Sequence, residues 1–286
     1  MDVPRTIGPG DGQYPSLLAR IAGAPALRVR GELGGALRRV AVVGSRHPDP
    51  YGEELTRAIV GGLARAGISI VSGGALGVDA VAHRTALEAG GHTVAVLGTG
   101  VDVLYPGQNR GLFRAMLARG GALASEQPDG TPGFPANFPA RNRIVSGLCE
   151  AVVVVRAGPK SGALITATWA RRQGRPVLAV PGDAREPLSE GPHTLIRDGA
   201  TLVRSAADVL AALGLAEAPA QRPLPELSCE GSSLLGALGR KPRHADELAR
   251  AAGLAPGATL AGLLALELSG LCEQRPGHYF LHREGI

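Results

Sequence analysis

Five short, uniformly apolar runs recur along the first two thirds of the chain, each followed by a stretch with helical periodicity. They are RVAVVG (39–44), ISIV (68–71), TVAVLG (93–98), AVVVV (151–155) and PVLAV (176–180). A strand with one face in water alternates apolar and polar residues, so runs without alternation are covered on both faces. Between them, Leu55, Ile59 and Leu63 recur every four residues before Gly67, and Val81 with Leu87 marks a second helix. Leu112, Phe113, Met116 and Leu117 mark a third, and a fourth is predicted from about Ser161 to Gln173. TLV (201–203) closes the sheet, and a short helix passes through Val209 and Leu213. Strand–helix alternation joins strands in parallel, so the expected fold class is α/β, a largely parallel sheet with helices on both faces.

At 286 residues the chain is long enough for about two domains. Residues 214–227 (GLAEAPAQRPLPEL) hold three prolines and read as a linker. Three short helical patterns follow, at 232–239, 244–252 and 258–269. LCEQR and HYFLH are then strand candidates joined by the turn signal Pro276-Gly277, which gives the layout of a winged helix. The expected division is a lead-in over 1–37, an α/β domain over 38–213, the linker, and a small C-terminal domain over 228–286. No apolar run approaches the ~20 residues of a membrane span, and the N-terminus lacks the apolar segment of a secretion signal. Cys149, Cys229 and Cys272 are odd in number with no CxxC pair, which argues against a disulfide framework or zinc ribbon and for a reducing cytoplasm.

The net charge of +5 is unevenly placed. Between Phe134 and Arg175, Arg141, Arg143, Arg156, Lys160, Arg171, Arg172 and Arg175 face the single acid Glu150, whereas from Ser228 onward six bases meet six acids. A concentrated positive field suits a polyanion, although a solvated face has the same composition.

The first strand runs into Gly44, Ser45, Arg46 and His47, and the second into Ser72, Gly73, Gly74, Ala75, Leu76 and Gly77. Loops at the carboxyl ends of parallel strands hold ligands, and helix N-termini favour phosphate, so Ser72, Gly73, Gly74 and Gly77 form a candidate phosphate loop. Glycine at such a junction is also a plain turn requirement. Neither loop is a GxGxxG or GxxxxGK[ST] sequence, which weighs against bound NAD or ATP hydrolysis. FPANFPARNRIVSGL (134–148) is bracketed by prolines and is predicted extended or turned, not helical. It sets Phe138 beside Arg141, Asn142 and Arg143, a combination suited to unpaired nucleic acid, where bases stack and cations follow the backbone. Phe134 and Phe138 serve equally well as anchors under the sheet edge. Lys160 and Ser161 open the fourth helix in an anion-friendly position.

Catalytic and metal signals are poor. Ser72, Ser125, Ser146 and Ser161 lack a nucleophile-elbow setting. His278 and His282 lie in a strand pattern, where four residues span about 13 Å, too far to share an ion. Asp79 and His83, spaced i and i+4, read as a local salt bridge. The would-be recognition helix of the C-terminal domain, ATLAGLLALEL (258–268), has no Arg or Lys and is expected to be buried, the module packing on a partner or on itself, which argues against a duplex-reading transcription factor.

GSR (44–46), SGGALGVDAVAHRTAL (72–87), LGTGVDVLYPGQN (97–109), SEQPDGTPGFPANFPARNRIVSGL (125–148), VVVRAGPKSGALITATWARRQGR (153–175), VLAVPGD (177–183) and GPHTLIRDGATLV (191–203), preceded by YPSLL (14–18) and APALRVRG (24–31), resemble the DNA-processing protein A (DprA/Smf) family over nearly the full chain. The resemblance implies an extended Rossmann-like domain that binds single-stranded DNA and dimerises, with the winged helix as the family's optional third module. It implies protection of incoming DNA during natural transformation and help in loading the RecA recombinase, with no cofactor and no catalytic turnover. The implied DNA pocket comprises Gly44, Ser45, Arg46, Phe138, Arg141, Asn142, Arg143, Lys160 and Ser161. No room is left before residue 11 for the extra N-terminal helical module of some members, and His47 and Ala75 depart from the family's usual small residue and Arg. The competing expectation is a nucleotide-hydrolysing enzyme of the lysine-decarboxylase-like Rossmann superfamily. Such enzymes carry a catalytic acid at a PGGxGTxxE loop, and the comparable 159–166 segment here has no carboxylate.

Overall fold

The apolar runs become buried strands because helices cover both faces of the sheet they form. The computed structural model describes residues 3–215, 229–239, 241–269 and 271–282, so the expected linker lies almost wholly outside the described residues. In chain order the first unit contains β1 (Arg5–Ile7), α1 (Ser16–Ala19), β2 (Leu27–Gly31), β3 (Arg39–Val43), α2 (Pro50–Arg65), β4 (Ser69–Ser72), α3 (Val78–Glu88), β5 (Thr93–Val96) and α4 (Arg110–Ala118). It continues with β6 (Ala122–Ser125), α5 (Asn137–Gly147), β7 (Ala151–Val154), α6 (Gly162–Arg172), β8 (Val177–Ala179), α7 (Glu190–Arg197), β9 (Thr201–Leu202) and α8 (Ala206–Ala212). Every residue of β3 to β8 is buried.

The nine strands lie in the order β1-β2-β6-β5-β4-β3-β7-β8-β9. All pairs from β6 to β9 are parallel, while β1 and β2 add an antiparallel edge. From β3 the chain builds outward through β4, β5 and β6, then returns to place β7 on the other side of β3, with Val43 opposite Val154. At that reversal the loops leaving β3 and β7 diverge to opposite faces, which opens a crevice beyond their carboxyl ends. The pleat divides the core. Ala41 and Val43 pack with Ile144, Val145, Ala163 and Ala167 of α5 and α6. Val40 and Val42 pack with Ile59, Leu63, Val78 and Leu210 of α2, α3 and α8. At the start of α2 the Asp49 carboxylate accepts the Gly52 N–H at 2.8 Å and Pro50 occupies the first turn.

Two segments correct the sequence expectation. Residues 137–147 are helical, not extended, because Pro139 falls in the first turn of α5, where its missing N–H has no intrahelical partner to lose. Pro192 sits likewise in the first turn of the unforeseen α7.

The second compact unit follows residue 217. It comprises α9 (Cys229–Ala237), β10 (Arg243–His244), α10 (Ala245–Ala252), α11 (Pro256–Leu268), β11 (Cys272–Arg275) and β12 (Tyr279–His282), with a three-stranded sheet in the order β10-β12-β11. Leu234, Leu248, Leu263, Leu266 and Phe280 form its core. α11 buries Leu263 and Leu266 within this unit and leaves Leu260, Leu264 and Leu268 45%, 55% and 82% exposed. No single helix among the described residues is long and apolar enough to cross a membrane, and no cluster of three or more metal-ligating side chains occurs among them.

Candidate nucleic-acid interface

The crevice at the strand-order reversal is a cavity of about 870 Å³. Gly44, Ser45 and Arg46 reach it from the end of β3, and Gly73 from the end of β4. Phe138, Arg141 and Asn142 come from α5, and Lys160 and Ser161 from the loop that opens α6. Residues scattered over the sequence thus meet because the sheet topology brings three loop ends and two helices to one place.

Arg46 and Lys160 are exposed on this cavity, and neither side chain has a hydrogen-bond or ion-pair partner among the described residues. The Ser45 backbone is fixed on both sides: its N–H donates to the Arg156 carbonyl and its carbonyl accepts the Val78 N–H at 3.0 Å. Ser161 caps α6, its hydroxyl oxygen accepting the Ala163 N–H at 3.3 Å. Asn142 donates to the Gly162 carbonyl at 3.1 Å, tying α5 to the same helix start.

Arg141 has a different role from the one expected. It is 6% exposed, and its guanidinium donates to the Val96 carbonyl. Burial pushes its pKa down to about 10 against the pull of Asp79, and the nearby Arg46 lowers it further. It forms the cavity floor, and Gly73 exists to admit it: a Cβ there would stand 2.2 Å from a guanidinium nitrogen of Arg141. Asp79 is the carboxylate among the described lining residues. It accepts the N–H groups of Gly73 at 3.1 Å and Ala75 at 3.2 Å, and burial raises its pKa while Arg141 and those amides hold it down.

That arrangement corrects the candidate phosphate loop. Two of its amides already serve Asp79, and the Ser72 hydroxyl, fully buried, donates to the Val42 carbonyl at 2.7 Å. Gly77 has φ 75° and is packed so that a Cβ would lie 2.3 Å from the Ser45 carbonyl oxygen. Ser72, Gly74 and Gly77 do not line the cavity; they shape the backbone behind it. The Asp79–His83 salt bridge is likewise absent, because the buried His83 pairs through Nδ1 with the Thr93 hydroxyl at 2.7 Å, and desolvation drops its pKa to about 3. Arg143 also lies off the cavity, on the other side of α5, in an ion pair with Glu126. Arg156, counted in the basic stretch, is 2% exposed and paired with Asp49 under the Tyr51 ring, 5.1 Å from its centroid.

Tyr105 is a cavity residue that sequence reasoning missed. It is 51% exposed, and its ring centroid lies 5.5 Å from that of Phe138. Tyr105 sits thirty-odd residues before Phe138, and no spacing rule links them. Phe138 itself is half-buried and lines the cavity, whereas Phe134 is 55% exposed and does not.

Fold and site define a doubly wound α/β protein with a cationic, aromatic crevice at its switch point and a winged-helix unit after it. The family model for DNA recombination-mediator protein A matches residues 5–214, and that for the DprA winged helix domain matches 218–278. Protein Smf of Synechocystis sp. is 36% identical over 98% of this chain and 80% of its own length. Protein Smf of Escherichia coli is 40% identical over 95% of this chain and 76% of its own. Among solved structures, DNA processing protein A from Streptococcus pneumoniae superposes with a TM-score of 0.68 at 42% identity, covering 73% of this chain and 74% of that one. The Helicobacter pylori protein, described for its single-stranded DNA binding mode, gives 0.66 at 29% identity, over 74% of this chain and 98% of that one. The chain belongs to the DprA/Smf family of DNA recombination mediators.

Proposed function

We propose that this protein grips single-stranded DNA in the crevice, protects it, and helps load a RecA recombinase onto it during recombination and natural transformation. In this reading it acts in the cytoplasm as a homodimer joined through the Rossmann-like domain, without catalytic turnover. The observation that carries the reading is the pairing of two exposed cations without a partner among the described residues, Arg46 and Lys160, with the Tyr105–Phe138 aromatic pair around one cavity. Cations without internal partners are available to phosphates, and tilted aromatic rings offer faces to unpaired bases. The Helicobacter pylori relative, described for its single-stranded DNA binding mode, supports the same ligand class. Against an enzyme stands Asp79, whose carboxylate is held by two loop amides and faces Arg141.

The test is oligonucleotide binding across a salt series with the Arg46→Ala, Lys160→Ala double variant. Each lost phosphate contact flattens the slope of log affinity against log salt by ~0.7, so the pair removes about 1.4, equally for all base sequences. An unchanged slope and affinity refutes the crevice as the binding site. Release of a free base from nucleoside monophosphates would restore the enzyme reading.

A further inference from the structure

α6 carries a second feature outside the cavity. Gly162 and Ile165 line the crevice, and Ile165 is 38% exposed. Continuing along the same side of the helix come Thr168, Trp169 and Arg172. At 100° per residue Arg172 lies within ~20° of Ile165, and Trp169 within ~40°, so these side chains form one stripe. Thr168 and Arg172 are exposed and Trp169 is half-buried. The Arg172 guanidinium lies over the Trp169 ring, 5.3 Å from its centroid. α6 contains no acidic residue. From Gly162 to Arg172 the helix rises about 15 Å, so the stripe leads away from the crevice for a few nucleotide lengths.

We propose that the Trp169–Arg172 pair is a second contact for single-stranded DNA, a stacking face and phosphate clamp that receives the strand as it leaves the crevice along α6. The inference rests on the crevice binding single-stranded DNA. Its own grounds are continuity with the cavity through Ile165, the absence of opposing charge on the helix, and an exposed guanidinium held over the half-buried indole. A guanidinium held over an indole by a cation–π contact is preorganised, and its N–H groups remain available to a phosphate. A base stacking on such a pair adds a sequence-independent contact.

Trp169 is the chain's single tryptophan, so its emission reports on this stripe alone. The experiment titrates the full-length protein with oligothymidylates of about four and about twelve nucleotides, a short and a longer length within the size range of compact single-strand sites. The longer oligonucleotide is expected to quench Trp169 and the shorter to bind without quenching. Trp169→Leu is expected to lose about tenfold in affinity for the longer one only, and Arg172→Ala to flatten its salt slope by ~0.7. Arg172 is exposed, so its variant keeps the test valid if Trp169→Leu fails to fold. Tight binding of the longer oligonucleotide with unchanged emission and an unchanged Arg172→Ala slope overturns the extension while leaving the crevice intact. Failure of both lengths to bind refutes the crevice reading and the extension with it. Emission that shifts on dilution without DNA assigns the stripe to self-association and likewise overturns the proposal.

Discussion

Replacing Gly73 by alanine isolates the wedge that shapes the cavity floor. Gly73 does not have a positive φ, so alanine meets no backbone strain there. Its Cβ would instead sit 2.2 Å from one guanidinium nitrogen of Arg141 and 2.7 Å from Cζ. Arg141 has little room to yield, being buried on all sides and bonded to the Val96 carbonyl. Overpacking costs about 1–3 kcal/mol, and disturbing a buried hydrogen bond from a charged donor costs about 1.5–3 kcal/mol. The two describe one displacement, so about 3 kcal/mol is expected in total. For a unit of this size that is a fall in Tm of about 6–12 °C, readable by Trp169 fluorescence, which reports on the α/β unit. Arg141→Met alone removes the guanidinium, and in that background Gly73→Ala is expected to cost under 1 kcal/mol. Equal costs of Gly73→Ala in the two backgrounds, or a Tm shift below about 2 °C in the wild type, would show that the arginine is not held against the loop.

Arg143→Ala is expected to leave single-strand affinity and its salt slope unchanged while destabilising by about 1 kcal/mol, since Glu126 loses its partner; a flattened slope would place Arg143 on the DNA path. Arg156→Ala is expected to cost about 3 kcal/mol in denaturant melts and to raise the Asp49 pKa, which the Arg156 hydrogen bond holds down. An unmoved Asp49 carboxyl resonance on acid titration would contradict that. His83 is held near 3 in the fold against 6.5 when solvated. The unfolded chain therefore binds a proton that the folded one refuses between those values, and stability falls as pH drops through that window. The loss is about 2 kcal/mol by pH 5, and His83→Gln is expected to abolish that part of the pH dependence. A variant whose stability tracks the wild type between pH 8 and pH 5 would show that His83 is not the group responsible.

The sheet was readable because burial on both faces leaves its mark on every residue of a strand, as in Val40 to Val43 and Val152 to Val154. β6, with the sequence ALAS, has the same burial but no β-branched residue to announce it, and β2 alternates because it is an edge neighbour. α5 and α7 were hidden by prolines that break helices in the interior but are tolerated in the first turn. Phe138 and Asn142 reach the cavity on the hidden helix α5, while the place of Gly44 to Arg46, Lys160 and Ser161 beside it was legible because strand-end loops follow from local sequence. The roles of Arg141, Arg143 and the Ser72–Gly77 loop were not. Each is decided by a partner from another element, Val96, Glu126 or Val42, and charge counting cannot tell a paired guanidinium from a free one. Asp79, lying closer, was legible as a polar group but not as the acceptor of its own loop's amides.

With the Gly73 and Ala75 amides taken by Asp79, the crevice offers a polyanion side-chain cations in place of those backbone donors. A nest of backbone donors holds each phosphate in a fixed notch, whereas long flexible side chains such as Arg46 and Lys160 follow a moving charge. In the proposed reading, a strand held mainly by such tethers creeps one nucleotide at a time with little barrier, as handing it to a recombinase would require.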